Sequence, residues 1–381
     1  MILHHSVLLD FDLGSEPDQG LFPSGPAVFA IHFDESHAAM APPYLARTTD
    51  LRRRLSRLLG KSRLNSRLLN LREQARRVEY SWVGSSFEAL WVLYQLNKTY
   101  YPKSYRQRLR LKPPTLLKLN LENRFPRLYP TRRLSRDTSR YYGPFSSRLA
   151  AERLASEFLD FFKIRRCVED LNPHPSHPGC IYSQMHMCLA PCFAGCTDEE
   201  YQAEVGRVAA FLDDAGRPLV RSLEEERAHA SEALQFEHAA KVHRKIEKVA
   251  DVLRLKPDLV RNLSDLHAVL VVQGAEPKTV VFFRVSAGEL RGPATLSLDE
   301  NVPKPVSLDE QIRTLLDPLA TPAQPADSPS PPPPWEHLTL LARWYYSSFR
   351  TGELVMLDPA GRDRMLPTRA LIRACRKVLA V

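Results

Sequence analysis

The chain has 381 residues, 44% of them hydrophobic and 25% charged, with a net charge of +9. That length suits two or three domains, and the composition excludes a fibrous or wholly disordered chain. There is no apolar run long enough to span a bilayer, and residues 1 to 17 lack a basic leader, a sustained apolar core and a cleavage site. A cytoplasmic protein with no membrane partner is therefore expected.

The charge is unevenly shared. Residues 1 to 166 hold 29 Lys and Arg against 15 Asp and Glu, and the rest of the chain holds 24 against 29. The first part is the candidate polyanion binder, because clustered Lys and Arg release counterions from a phosphate backbone. The alternative is a solvated basic face.

In chain order, residues 27 to 33 alternate as a strand, and a second short strand fits Pro43 to Arg47. Asp50 then has the position of an N-cap for a helix with Leu51, Leu55, Leu58 and Leu59 inside and Arg52, Arg53, Arg54 and Arg57 around it. Leu64, Leu68, Leu71 and Ala75 predict a second helix of the same design over Leu64 to Val78. A strand at Val78 to Val83 leads through Gly84 into a helix from Phe87 to about Tyr101, ended by Pro102. From Lys98 to Arg136 there are twelve Lys and Arg against the single acid Glu122. Tyr100, Tyr101, Tyr105, Phe125 and Tyr129 are interleaved among them, which suits phosphate contact and base stacking if these rings are not simply core.

Five of the six cysteines, Cys167, Cys180, Cys188, Cys192 and Cys196, fall within thirty residues. Thiols so clustered, without a secretory signal, read as metal ligands rather than disulfides. Zinc is compatible with the Cys188/Cys192 and Cys192/Cys196 spacings, with His174, His177 and His186 as nitrogen donors nearby. An iron-sulfur cluster needs four thiolates, which are also present. Half-buried thiols on a Pro-rich loop are the alternative.

Residues 217 to 255 read as a helical hairpin, with Leu219, Val220, Leu223 and Ala230 before a break near Gln235 and Phe236, and Ala239, Ala240, Ile246 and Val249 after it. Strands follow at Leu266 to Val272 and Thr279 to Val285. Residues 317 to 334 are a Pro-rich linker. A helix at Trp335 to Arg350, a strand around Leu354 to Leu357 and a basic helix at Thr368 to Leu379 complete the chain.

Six of these stretches, in this order, resemble the UvrC subunit of the bacterial excinuclease: Tyr44 to Leu55, Glu88 to Leu90 followed by Pro102, Phe125 to Leu128, Tyr142 to Phe145, Cys188 to Cys192, and Ala233 to Ala240. The resemblance runs from about Gly25 to Leu255 and implies an α+β multidomain protein. Its parts would be a small GIY-YIG-like α/β domain over 20–136, a cysteine-rich metal module over 137–200 and a UVR helical hairpin over 201–256. A small β-containing region over 257–316, the linker and a C-terminal α+β segment over 335–381 would follow. The family's second, ribonuclease H type nuclease domain and its helix-hairpin-helix tail are not seen.

The resemblance also implies the roles. A GIY-YIG nuclease site uses two tyrosines, an arginine, a metal-binding glutamate and an asparagine. These fall on Phe29, Tyr44, Arg54, Leu93 and Tyr105, and the glycine of the second motif half falls on Ala46, so only Tyr44 and Arg54 persist. Leucine cannot ligate magnesium, and Glu88, five residues away, lies roughly 140° around the helix from it. The divalent metal is thus expected to be absent and the enzyme to be inactive. Arg52, Arg53, Arg57, Lys61 and Arg63 are the expected DNA contacts. A [4Fe-4S] cluster is expected on Cys167, Cys180, Cys188 and Cys192, with Cys196 spare and zinc as the alternative. Leu234, Phe236 and Ile246 are the expected contact with a UvrB-like helicase subunit. Two readings compete with a DNA-binding repair protein: an active endonuclease incising damaged DNA, and an RNA or tRNA binder that reuses the basic domain.

Overall fold

The computed structural model describes residues 2–9, 22–33, 42–60, 69–169, 171–299, 306–320, 335–357 and 366–380. Among the described residues it is a mixed α and β protein with three four-stranded sheets, every strand pair antiparallel.

The first sheet contains β1 (His5–Leu8), β2 (Ala27–Phe33), β3 (Tyr44–Thr48) and β4 (Ala75–Trp82), in the order β1-β4-β2-β3. Helix α1 (Leu51–Leu59) covers one face, where Ala27, Phe29 and Ile31 meet Leu51, Leu55, Leu58 and Leu59. Helix α2 (Ser86–Tyr100) covers the other, where Val28, Ala30 and Leu45 meet Ala89, Val92 and Leu96. This is the period of two of a strand buried on both sides. The helix expected over Leu64 to Val78 is corrected: residues 72 to 74 turn and β4 begins at Ala75, while Leu64 lies outside the described residues. The leucine spacing there mimics a helix, but Val78 and Tyr80 alternate with Arg77 and Glu79, and pairing with β1 and β2 decides the strand.

The second sheet follows α3 (Tyr105–Arg108) and contains β5 (Thr115–Leu119), β6 (Leu128–Thr131) and β7 (Arg140–Phe145). Its fourth strand, β8 (Arg261–Asn262), arrives only after a run of helices: α4 (Arg148–Leu159), α5 (Ile181–Gln184), α6 (Asp198–Asp213), α7 (Arg217–Glu232) and α8 (Phe236–Arg254). Leu117, Leu119 and Tyr142 pack with Phe158, Phe211, Val242 and Val249 into one core.

The third sheet, in the order β11-β10-β9-β12, contains β9 (Ala268–Gln273), β10 (Thr279–Ser286), β11 (Glu289–Ser297) and β12 (Glu353–Met356). Helices α9 (Leu308–Leu316) and α11 (Thr368–Leu379) bury Val269, Val271, Val280 and Phe282 on one face. Helix α10 (Trp335–Tyr345) and α2 bury Leu270, Val272, Val281 and Phe283 on the other. Because β12 pairs with β9, the segments before and after the Pro-rich stretch share one sheet rather than forming separate regions. Asp317–Leu319 is a short 3-10 turn with Leu319 against the core, so the stretch is not a linker from its first residue, and residues 321–334 lie outside the described ones.

Helix α2 therefore serves two cores. Gly84, just before it, approaches Gly274 so closely that a Cβ there would stand 2.0 Å from the Gly274 carbonyl oxygen, which excludes any side chain. Glu88 is buried beside this junction and accepts the Gly84 N–H at 2.8 Å. Burial pushes its carboxyl up to about 7, against the smaller lowering effect of that hydrogen bond. The folded state thus holds a proton that the unfolded chain releases near pH 4.5, and stability falls as pH rises from there to about 7. Glu88→Gln, which keeps an acceptor for Gly84, is expected to raise stability on the order of 2 kcal/mol at pH 8 and to change it little at pH 4, as read by denaturant unfolding at both pH values.

Candidate nucleic-acid interface and cysteine centre

Asp50 accepts the Arg53 N–H at 2.9 Å and the Ser24 hydroxyl at 2.7 Å. These two bonds, that from Ser24 first, hold its carboxyl below the usual range. The cap fixes the start of α1 and brings Arg54 to the edge of the sheet, where its Nη2 donates to the Tyr44 hydroxyl at 3.1 Å. The Phe29 ring is 6.2 Å from that of Tyr44, and Ala46 lies directly across from Phe29 in the strand pair. Tyr44, Arg54, Phe29 and Ala46 thus form one group.

Leu93 and Tyr105 do not join it. Leu93 packs with Val28, Ala30 and Leu45, on the sheet face opposite Phe29. One carboxylate on that face, Glu79, is already paired with His32 at 3.0 Å and Arg77 at 3.2 Å. Tyr105 is buried in the core shared by α2 and the third sheet, and donates to Glu336 at 2.9 Å. Arg106 holds the same carboxylate at 2.7 Å.

Arg52, Arg53 and Arg57 are exposed on α1, and Arg52 Nε donates to the Phe22 carbonyl at 2.8 Å. Lys61 and Arg63 lie outside the described residues. The interleaved aromatics divide. Tyr105 and Phe125 are core, whereas Tyr101 and Tyr129 are less buried and carry arginines, Arg108 at 3.7 Å and Arg127 at 4.3 Å from the ring centres.

The cysteine loop is tethered to the second core. Leu189 N–H donates to Lys163 O at 2.9 Å and His174 N–H to Cys192 O at 3.0 Å, and Cys192 is buried. Ala190 and Ala194 are left-handed, with φ of 56° and 58°, around the turn Pro191–Phe193. The Ala190 N–H points at Cys188 Sγ, 3.3 Å away. Burial pushes the Cys188 thiol up to about 11, the Ala190 N–H lowers it, and the charges of Cys167, Cys180 and Cys192 raise it further. The Cys196 thiol is raised by burial, then by Glu200 and Asp198, and among the thiols only by Cys192. Among the described residues no three His, Cys, Asp or Glu side chains are gathered so as to hold a metal ion. His174 and His177 are exposed, and their Nδ1 atoms are engaged with Ser176 and Gly179.

Arg165 is the neighbour that the spacing argument overlooks. It is 2% exposed, its Nη1 stands 4.0 Å from Cys167 Sγ, and its Nε has no partner. Its Nη1 also donates to Glu169 O at 2.9 Å, and a buried cation with no carboxylate partner among the described residues favours anionic sulfur beside it. The only sequence signal is its position two residues before the first clustered cysteine.

In the hairpin, Leu223, Val242, Val249 and Val252 are core, whereas residues 231 to 238 at the tip are exposed. Leu234 and Phe236 are 72% and 65% exposed. Ile246 does not share their surface. It packs against the second core, because its place on α8 falls on the buried side with Val242 and Val249.

Comparison with known proteins gives a consistent set of relatives. The family model of the UvrC/Cho excinuclease middle domain matches residues 115–211. The UvrABC system protein C of Methanothermobacter thermautotrophicus is 28% identical over 271 residues, 71% of this chain and 45% of that protein. Those of Saccharopolyspora erythraea and Rickettsia bellii are each 27% identical, over 72% and 65% of this chain and 38% and 39% of their own lengths. The chain spans less than half the length of these curated relatives. No solved structure matches it. None of the described helices is long and apolar enough to cross a membrane.

The split within the hairpin has a direct test. Phe236→Asp is expected to leave the melting temperature within a degree or two, since an exposed ring loses little, whereas Ile246→Asp places a charge against the core and should lower it by several degrees. Equal losses from the two variants would show that the tip is packed.

Proposed function

We propose that this chain, a UvrC-like protein, acts in nucleotide excision repair as a DNA-binding component that does not itself cut. The observation that carries the reading is the hydrogen-bonded pair Tyr44–Arg54, which stands beside Phe29 while a leucine occupies the position that the resemblance assigns to the metal-binding glutamate. An arginine and a tyrosine hydroxyl can hold a phosphate. Leu93 offers no hard oxygen with which to ligate magnesium. The exposed arginines of α1 extend the same surface with positive charge.

In the same reading Cys167, Cys180, Cys188 and Cys192 hold a [4Fe-4S] cluster. The buried Arg165, whose Nη1 stands 4.0 Å from Cys167 Sγ and whose Nε has no partner among the described residues, supports an anionic group among these thiols. Zinc, at about 2.3 Å from each thiolate, is the alternative occupant of these thiols. When bound, the cluster would supply a cross-link across the loop and a one-electron redox centre. The exposed Leu234 and Phe236 at the hairpin tip offer an apolar contact to a UvrB-like partner, a contact that Phe236→Asp should abolish.

The DNA reading predicts affinity for duplex DNA that falls steeply with salt and needs no divalent metal. Arg52→Ala, Arg53→Ala and Arg57→Ala together should lower the slope of log affinity against log salt by about one unit for each phosphate no longer neutralised. No strand should be cut with magnesium or manganese. Metal-dependent cutting by the unmodified protein, abolished by Arg54→Ala, would overturn the reading in favour of an active nuclease.

Protein purified without oxygen is expected to be brown and to carry about four iron atoms per chain. Serine at Cys167, Cys180, Cys188 or Cys192 should remove the iron, and serine at Cys196 should not. A colourless protein with one zinc per chain and no iron would refute the cluster.

A further inference from the structure

A cleft of about 310 Å³ lies between the second sheet and α10. Its walls carry Lys112, Arg132 and Arg343 and no acidic residue. Lys112 and Arg132 are exposed, and among the described residues neither has a carboxylate within ion-pair distance. The guanidinium of Arg343 is held in place by donation to the carbonyls of Leu109, at 2.9 Å, and Arg110. Burial lowers its pKa, and no carboxylate offsets that shift. Three cations thus converge without a counter-charge, an arrangement that repels cationic ligands and attracts an oxyanion.

The rest of the cleft narrows the ligand class. Ser146 and Ser147 line it with hydroxyl groups, and Ser147 caps α4 by accepting the Ala150 N–H at 3.1 Å, so the positive end of a twelve-residue helix adds to the same field. One aromatic ring, that of Tyr346, lines the cleft part-buried, and Phe145 contributes only its edge from the core. Phe145 is 4% exposed, and the Tyr346 ring is fixed by donation from its hydroxyl to Pro144 O at 2.9 Å. An aromatic ring lining the same cleft as the cations suits a sugar or base attached to a phosphate better than a bare inorganic anion. The volume stands at the low end of small-molecule sites, about the size of one nucleotide.

We propose that this cleft binds a nucleotide phosphate between Lys112, Arg132 and Arg343, with its sugar or base against Tyr346. The phosphate is carried on a nucleic-acid strand or on a free mononucleotide. The first source rests on the DNA-binding reading, and the second does not. Thr339, Ala342, Arg343 and Tyr346 come from α10 and the turn after it, so the site exists only where that helix packs on the middle domain.

The test uses the full chain with a fluorescent oligothymidylate, read by anisotropy over a salt series, and thymidine 5′-monophosphate, read by thermal shift. Lys112→Ala with Arg132→Ala removes exposed side chains and leaves Arg343 in place. Strand affinity is expected to fall about tenfold in this variant, and the salt slope to become shallower by about 1.4, two phosphates at about 0.7 each for a single strand. The α1 triple variant should reduce the slope by its own share independently. If the chain binds no strand but is stabilised by the mononucleotide, and the double variant is not, the site takes a free nucleotide and not a strand, and duplex binding through α1 is judged by its own salt series. Unchanged strand affinity and slope in the double variant, with no mononucleotide response that depends on Lys112 and Arg132, would overturn the site while leaving α1 as the DNA surface.

Discussion

The structure depends on α2 being buried on two sides at once. Phe87, Trp91 and Tyr94 face the third sheet and α10, while Ala89, Val92 and Leu96 face the first sheet. A helix apolar around most of its circumference belongs inside a protein, and aromatic rings of this size bring the largest single areas out of water. Trp91 fixes the arrangement by donating from Nε1 to Gly292 O at 3.1 Å, and Phe87 meets Phe283 edge-on at 4.9 Å. The opposing effect is at Glu88, a carboxyl held where its charged form is disfavoured.

The chemistry available to the first domain follows from that constraint. Leu93 belongs to the apolar contact between α2 and the first sheet, so a glutamate there would exchange packing for a charge that needs a ligand. Tyr105 has an equally definite structural use, donating to a Glu336 that also holds Arg106. Two positions that the resemblance assigns to catalysis are thus taken up by packing, Leu93 within the first domain and Tyr105 between it and the third sheet's unit. Tyr44 and Arg54, on the α1 side, are outside those contacts and keep their hydrogen bond.

Much of this was legible in the sequence where local periodicity and tertiary burial agree. The strand at residues 27 to 33, the capped helix at Asp50, the helical hairpin and the terminal helix at Thr368 to Leu379 all carry their signal within a few residues. Leu64 to Val78 misleads because its leucines satisfy a helical period while the strand is decided by partners elsewhere in the chain. Strand β5, TLLKL, is too short and too uniformly apolar to be told from a helix fragment. The pairing of β12 with β9 spans more than eighty residues and a Pro-rich stretch, and has no local mark at all. The cleft is illegible for the same reason: Lys112 and Arg132 stand in a basic run that is easily read as one surface, while Arg343 comes from a helix some two hundred residues later.

The path of the cysteine loop is held by its own backbone contacts. Its turn relies on two left-handed alanines, where glycine would be the usual residue, so neighbouring contacts must hold a backbone that alanine adopts at a cost of about 1–2 kcal/mol each. Those contacts are present: Ala190 and Cys192 are buried, Gly195 N–H donates to Ala190 O at 3.0 Å, and Leu189 is tied to Lys163. The Leu189 tie comes from the second core, whereas the Ala190 N–H is held by Cys188 Sγ within the loop. A group bound by the cysteines would place anionic sulfur beside the buried guanidinium of Arg165, whose Nη1 stands 4.0 Å from Cys167 Sγ and whose Nε has no partner among the described residues.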